Sequence, residues 1–172
     1  MTFRAACVGL ALIVLLAGAV ACTDGGGGVR SGPLTLAEYF DELEGSSTDL
    51  DERAASLVET LEASDDVEEL KEAAGQYPDV LGDFLEDLEA LEPPGEAAAA
   101  HEDALDAGRE FLDLLAGAVD DAEQAETEAE LLEVFGNDEL VSATTAFSET
   151  CVALQTIADD NGIDVDLGCE LL

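Results

Sequence analysis

The chain is poor in positive charge, histidine, tryptophan and methionine. Lys and Arg number 5 in 172 residues against 42 Asp and Glu, a formal net charge of −37. A nucleic-acid binder neutralises phosphates with a basic face, and these few cations cannot build one, so nucleic acid is excluded as a partner. The single His cannot supply a multi-His metal centre, and the single Met is residue 1. The lack of Trp and the scarcity of other aromatics argue against a sugar-stacking cleft. What the chain does have is apolar bulk. Hydrophobic residues make up 48% of it, too many for a disordered acidic chain. The composition predicts one folded domain under an acidic surface.

The N-terminus reads as a targeting segment. Within residues 1–21, Arg4 is the lone cation, and a nearly unbroken apolar run follows from Ala5 to Ala21. A short charged region, an apolar stretch and small residues make a signal peptide, and the run is short for a membrane span. Gly18-Ala19-Val20-Ala21 stands directly before Cys22. This stretch resembles a bacterial lipobox, although Ala19 takes the place where that family most often has Leu. The resemblance covers the first two dozen residues. It implies lipidation of the Cys22 sulfur, cleavage just before it, and acylation of the new amino terminus.

Ala19-Val20-Ala21 also satisfies the A-x-A rule of ordinary secretion, and both rules cut after Ala21. Cysteine arithmetic separates them. Cys7 leaves with the signal, and Cys22, Cys151 and Cys169 remain. Ordinary secretion would leave an odd thiol in an oxidising compartment, whereas lipidation uses Cys22 and leaves one pair. Gly25 to Gly28 then make residues 22–34 a flexible tether, in which residues 23–33 span ~18 Å as a random coil. The expected location is the outer face of the cytoplasmic membrane or the cell envelope, held by lipid on Cys22.

Residues 35–172 read as an all-α, antiparallel up-down four-helix bundle with long helices. Thr35 and Glu38 form a capping box. Leu36, Phe40, Leu43, Ser47, Leu50, Ala54, Leu57 and Leu61 follow at alternating spacings of 4 and 3. The phase survives Gly45-Ser46-Ser47, which predicts one helix over 35–63. Asp65 and Glu68 suggest the next cap. A second seam runs Val67, Leu70, Ala74, Tyr77, Leu81, Phe84, Leu88, Leu91. Pro78 lies beside it, which predicts a kink or two helices meeting there, and the preserved phase favours the kink.

Pro93-Pro94-Gly95 ends this helix and starts the third, whose seam runs from Ala98 through His101, Leu105, Gly108, Leu112, Leu115 and Val119 to Ala122. Leu131, Leu132 and Phe135 form a fourth piece. Asn137 caps the helix after it, with Leu140, Ala143, Phe147, Leu154 and Ile157 on one face. Asn161-Gly162 is a helix stop.

Candidate sites reduce to cysteines. Cys151 on the last helix and Cys169 in the tail are predicted to form a structural disulfide closing 18 intervals. No C-x-x-C occurs, and no cation follows Arg109 to activate a thiol. His101 invites haem or di-iron readings, but no second axial ligand exists, and Ala98 stands where a Glu-x-x-His motif needs Glu. It is expected to pack at the bundle end or to bond a carboxylate or turn. Asp159 and Asn161 fit the third and fifth places of a calcium loop centred on Gly162, but Ile157 and Gly168 fail its first and twelfth. An acidic turn is the better reading.

No nucleophile elbow, phosphate loop or dinucleotide fingerprint appears. The expectation is no enzyme, no cofactor and no metal site. The acids serve as a solvated coat, with high-salt adaptation, or capture of cations or a basic protein partner, as alternatives. The whole therefore reads as a lipid-anchored, non-catalytic binding or structural module of the cell envelope. The alternative reading is a low-affinity cation- or metal-binding accessory lipoprotein.

Overall fold

The structure is a computed structural model, and it describes residues 34–64 and 66–169. Cys22, the proposed signal and nearly all of the tether lie outside these residues. The described part is an all-α helical bundle of six helices: α1 (Leu36–Ala63), α2 (Val67–Ala74), α3 (Tyr77–Ala90), α4 (Ala98–Ala122), α5 (Glu128–Phe135) and α6 (Asp138–Asp160). Packing is most extensive between α4 and α6, then between α1 and α3 and between α3 and α4. Among the described residues no helix is long and apolar enough to cross a membrane.

The first helix matches expectation. Thr35 and Glu38 close the capping box, and α1 runs unbroken for 28 residues. Its seam faces inward, with Phe40, Leu43, Ser47 and Leu57 buried. Gly45 meets nothing within 4 Å of a built Cβ, so it sits on the open side and does not interrupt the seam. The next cap falls one residue later than the sequence suggested. Asp66 directly precedes Val67, and its carboxylate accepts from the Glu68 and Glu69 amides at 2.9 and 3.3 Å.

The second rod is two helices meeting before Pro78, which corrects the preference for a kink. The helix α2 ends at Ala74, and α3 restarts at Tyr77. A proline inside a helix removes a donor and clashes with the carbonyl four residues back, here that of Ala74. In the first turn of a helix neither cost arises. The chain therefore stops before Pro78 and restarts with it in the opening turn of α3. Gly75 and Gln76 bridge the gap, donating to the Lys71 and Ala73 carbonyls at 2.8 and 3.1 Å. Both remain near-helical in φ and ψ, so the seam keeps its phase across the break.

Pro93 and Pro94, unlike Pro78, do not open the helix that follows them, contrary to expectation. The Pro94 carbonyl accepts from Ala97 at 2.9 Å, forming a turn, and the helix begins after it. The last rod divides at Gly136-Asn137 as anticipated, and Asn137 caps α6 through the Leu140 amide at 2.8 Å. Leu131, Leu132 and Phe135 do share one helix, α5, in which Leu131 is buried and Leu132 is 67% exposed.

One core cluster joins Tyr39, Phe40 and Leu43 of α1 to Leu81, Leu85 and Leu88 of α3, Ala104 and Leu115 of α4, and Phe147 and Leu154 of α6. A smaller cluster of Leu70, Ala122, Ala125 and Leu131 gathers α2, the end of α4 and α5. Among the described residues the cations are few and already engaged. Arg53 pairs with Asp83 at 2.8 Å and Arg109 with Glu89 at 3.1 Å. Lys71 pairs with Glu68 at 2.9 Å and also donates to the Glu123 carbonyl at the end of α4, where α4 has no basic residue of its own.

Candidate functional site

The C-terminal tail is the most elaborately held non-helical segment among the described residues. Gly162 at φ 68° turns the chain out of α6, a conformation that favours glycine. The tail then runs back along α6. Gln155 clamps it twice: its amide nitrogen donates to the Val165 carbonyl at 2.9 Å, and its oxygen accepts from the Leu167 amide at 3.0 Å. Ser148 donates to the Cys169 carbonyl at 3.3 Å, and Glu44 of α1 accepts from the Asp166 amide at 2.8 Å. Leu167 inserts into the core. The Cys151–Cys169 disulfide closes the strap, with the two Cα atoms 5.6 Å apart. Joined in this bond, the two sulfurs are not free thiolates for a metal.

Under the strap lies a cavity of roughly 30 Å³, lined by Leu43, Ser47, Asp51, Phe147, Cys151 and Leu167 among others. That is room for about one or two waters. Ordinary small-molecule sites are an order of magnitude larger. Gly168 has φ 67°, a conformation that favours glycine, and the Asp51 carboxyl packs on it, so a Cβ there would have to displace that carboxyl. Burial first, and then the neighbouring Asp166, raise the Asp51 pKa above the usual carboxylate value.

His101 finds a partner the sequence did not name. Its Nδ1 lies 3.0 Å from the Tyr39 hydroxyl, across 62 residues of sequence. Both groups are buried, Tyr39 at 0% exposure and His101 at 5%. The rings meet edge to face at 5.8 Å, and Tyr39 also stands edge-on to Phe40. Burial lowers the His101 pKa and raises that of Tyr39, so near pH 7 the pair is a neutral imidazole hydrogen-bonded to a neutral phenol, with the imidazole tautomer setting which group donates. The expected bond to a carboxylate or turn is thus replaced by a bond to Tyr39. The sequence did carry a signal: Tyr39 is a polar-tipped aromatic one position off the seam, on the core side of α1.

The acids near Gly162 do not converge. The Asp159 carboxylate accepts from Gln155 at 3.0 Å, and that of Asp166 accepts from the Gly168 amide at 3.1 Å. Among the described residues no group of three His, Cys, Asp or Glu side chains is placed to hold a metal ion. Elsewhere the acids cap helices. Glu130 closes a second capping box with Thr127, and hydrogen bonds from the Glu126 and Thr127 amides, the first the stronger influence, hold its pKa below the ordinary value.

No protein family, characterised protein or solved structure matches this chain.

Proposed function

We propose that this protein is a lipid-anchored extracytoplasmic module that binds or scaffolds other envelope components without catalysing a reaction. The observation that carries the reading is the cysteine pairing. Cys151 and Cys169 are consumed by one another, which leaves Cys22 as the odd cysteine after the proposed cleavage. It sits directly behind Gly18-Ala19-Val20-Ala21, the stretch that resembles a lipobox. A structural disulfide is also at home in an oxidising, exported setting.

On this reading residues 1–21 are removed, Cys22 carries the acyl chains, and residues 22–34 hold the domain off the membrane. Loss of Arg4 and of no acid takes the net charge to 4 − 42 = −38. Such a domain is repelled by anionic headgroups and stands away from them on its tether. The finer architecture belongs to the same proposal. Here α1, α2 with α3, α4, and α5 with α6 are the four rods of an antiparallel up-down bundle, joined by short connections.

Mass spectrometry of the mature N-terminal peptide tests the anchor. Acylation on Cys22 supports it, and a free Cys22 thiol, or cleavage elsewhere, overturns it. The binding role is tested by pull-down from envelope fractions with the intact chain, and turnover of a substrate by the purified protein would refute the non-catalytic reading.

A further inference from the structure

The acidic coat has a gap. Residues 140–158 of α6 contain one acid, Glu149, and no cation, against about five charged residues at the chain's 27% average. The buried side of α6 accounts for Leu140, Ala143, Phe147, Leu154 and Ala158. A second seam lies on the outer side. Val141, Thr145, Ser148 and Val152 follow at spacings of 4, 3 and 4, and with α6 turning about 100° per residue they fall within about 60° of one another. Both valines are 52% exposed. A groove of about 400 Å³ runs between these side chains.

The polar atoms of this strip are already used. Thr145 donates to the Val141 carbonyl at 2.9 Å, Thr156 to the Val152 carbonyl at 2.8 Å, and Ser148 to the tail at 3.3 Å. With their hydroxyls tied down, these threonines have no free donor to offer. The strip is therefore more apolar than its composition suggests. It has the spacing that accepts one ridge of a neighbouring helix.

The surroundings select the neighbour. Exposed Asp138 and Asp159 close the strip at its ends, and exposed Glu149 and Asp160 line one long edge. In a two-fold antiparallel pair centred on this strip, the same edge of each copy lies side by side, so a second copy would bring the two Glu149 side chains within about 8 Å of one another along the axis, and its α6 would add no cation. An anionic membrane surface is disfavoured by the same charges. A helix with cations at matching places is favoured both on encounter and when docked.

We propose that the outer face of α6, along Val141, Thr145, Ser148 and Val152, docks an amphipathic helix of another protein whose apolar stripe is flanked by Lys or Arg. The proposal deepens the reading of the domain as a binding module and does not depend on the anchor. Failure here leaves the Cys22 mass measurement untouched, and a free Cys22 thiol leaves this surface untouched.

The test uses the full chain and a synthetic helical peptide with an Ala/Leu stripe at 4,3,4 spacing and Lys on its flanks. The control peptide has the same composition in scrambled order. Fluorescence anisotropy at physiological salt should show the ordered peptide binding at least tenfold more tightly than the scrambled one. V141E/V152E should remove that preference while the circular dichroism spectrum and melting temperature stay as in the parent, since both side chains are exposed. Equal binding of the two peptides, no binding of either, or a preference that survives V141E/V152E overturns the proposal. So does a concentration-dependent dimer, or binding to anionic vesicles, that V141E/V152E abolishes, since either would assign the face to another occupant.

Discussion

Gly108 and Gly117 occupy the same helix and call for opposite outcomes on the same substitution. In a helix interior, Gly to Ala stabilises by about 1 kcal/mol through backbone entropy. Around Gly117 a built Cβ meets nothing within 4 Å. Gly117→Ala should therefore realise the whole gain. At Gly108 the same atom would stand 2.5 Å from Leu85 Cδ2 and 3.1 Å from Phe147 Cε2. Carbon contacts are comfortable at about 3.5–4.0 Å, so Leu85 must retreat by about 1 Å and Phe147 by about half that. Leu85 is 5% exposed and Phe147 3%, and both belong to the main core cluster, so neither can retreat into solvent.

Overpacking of this kind costs about 1–3 kcal/mol. Gly108→Ala should thus be net destabilising by roughly 0–2 kcal/mol. The difference between the two variants should be about 1–3 kcal/mol, because the propensity gain cancels between them. Urea unfolding followed by circular dichroism measures both midpoints, and a common slope licenses the comparison. In thermal melts the gap corresponds to roughly 3–5 °C per kcal/mol for a domain of this size. A Gly108→Ala midpoint equal to or above that of Gly117→Ala would refute the close packing of α4 between α3 and α6.

Three further outcomes are expected. Replacing both Cys151 and Cys169 by Ser should lower stability by about 3 kcal/mol, the loop entropy of 18 intervals, read as a urea midpoint shift; an unchanged midpoint would show that the hydrogen bonds of the strap suffice without the disulfide. The lone His101 should titrate below the usual value of about 6.5 in an NMR pH series. Its folded pKa lies below the unfolded one, so its contribution to stability is complete above about pH 6.5 and is lost as pH falls toward the folded value. Tyr39→Phe, which removes the partner of Nδ1, should cost about 1 kcal/mol, and no loss would refute the hydrogen bond. Finally, the described cations are each paired already, so most acids face only other acids, and the melting temperature should rise between about 0.01 and 0.15 M salt; ionic-strength-independent melts would contradict the self-repulsion.

Much of the helical layout was legible because helix formation is local. The capping box at Thr35, the Asn137 cap and the stop at Asn161-Gly162 depend on residues a few places apart, and they stand where the pattern put them. The inward faces followed from period alone, since Phe40, Leu43, Leu81, Leu88, Leu115 and Phe147 are all buried. The break before Pro78 was less legible. A preserved seam is compatible with both a kink and a near-helical two-residue bridge, and only backbone geometry distinguishes them.

The long-range pairs were of two kinds. Cys151–Cys169 could be anticipated, because only one pair remained once Cys7 and Cys22 had been accounted for. Tyr39–His101 could not, because 62 residues separate the partners and many acids competed for the imidazole. Likewise the sequence shows that α6 is short of charge, but not that Thr145 and Thr156 tie down their hydroxyls or that Val141 and Val152 stay uncovered. Composition, caps and period determined by themselves that this chain makes amphipathic helices beneath an acidic coat, since each depends on neighbours along the chain. Which faces meet, which polar groups pair and which strip is left open were decided by tertiary packing, because those contacts join residues that the chain brings together only when it folds.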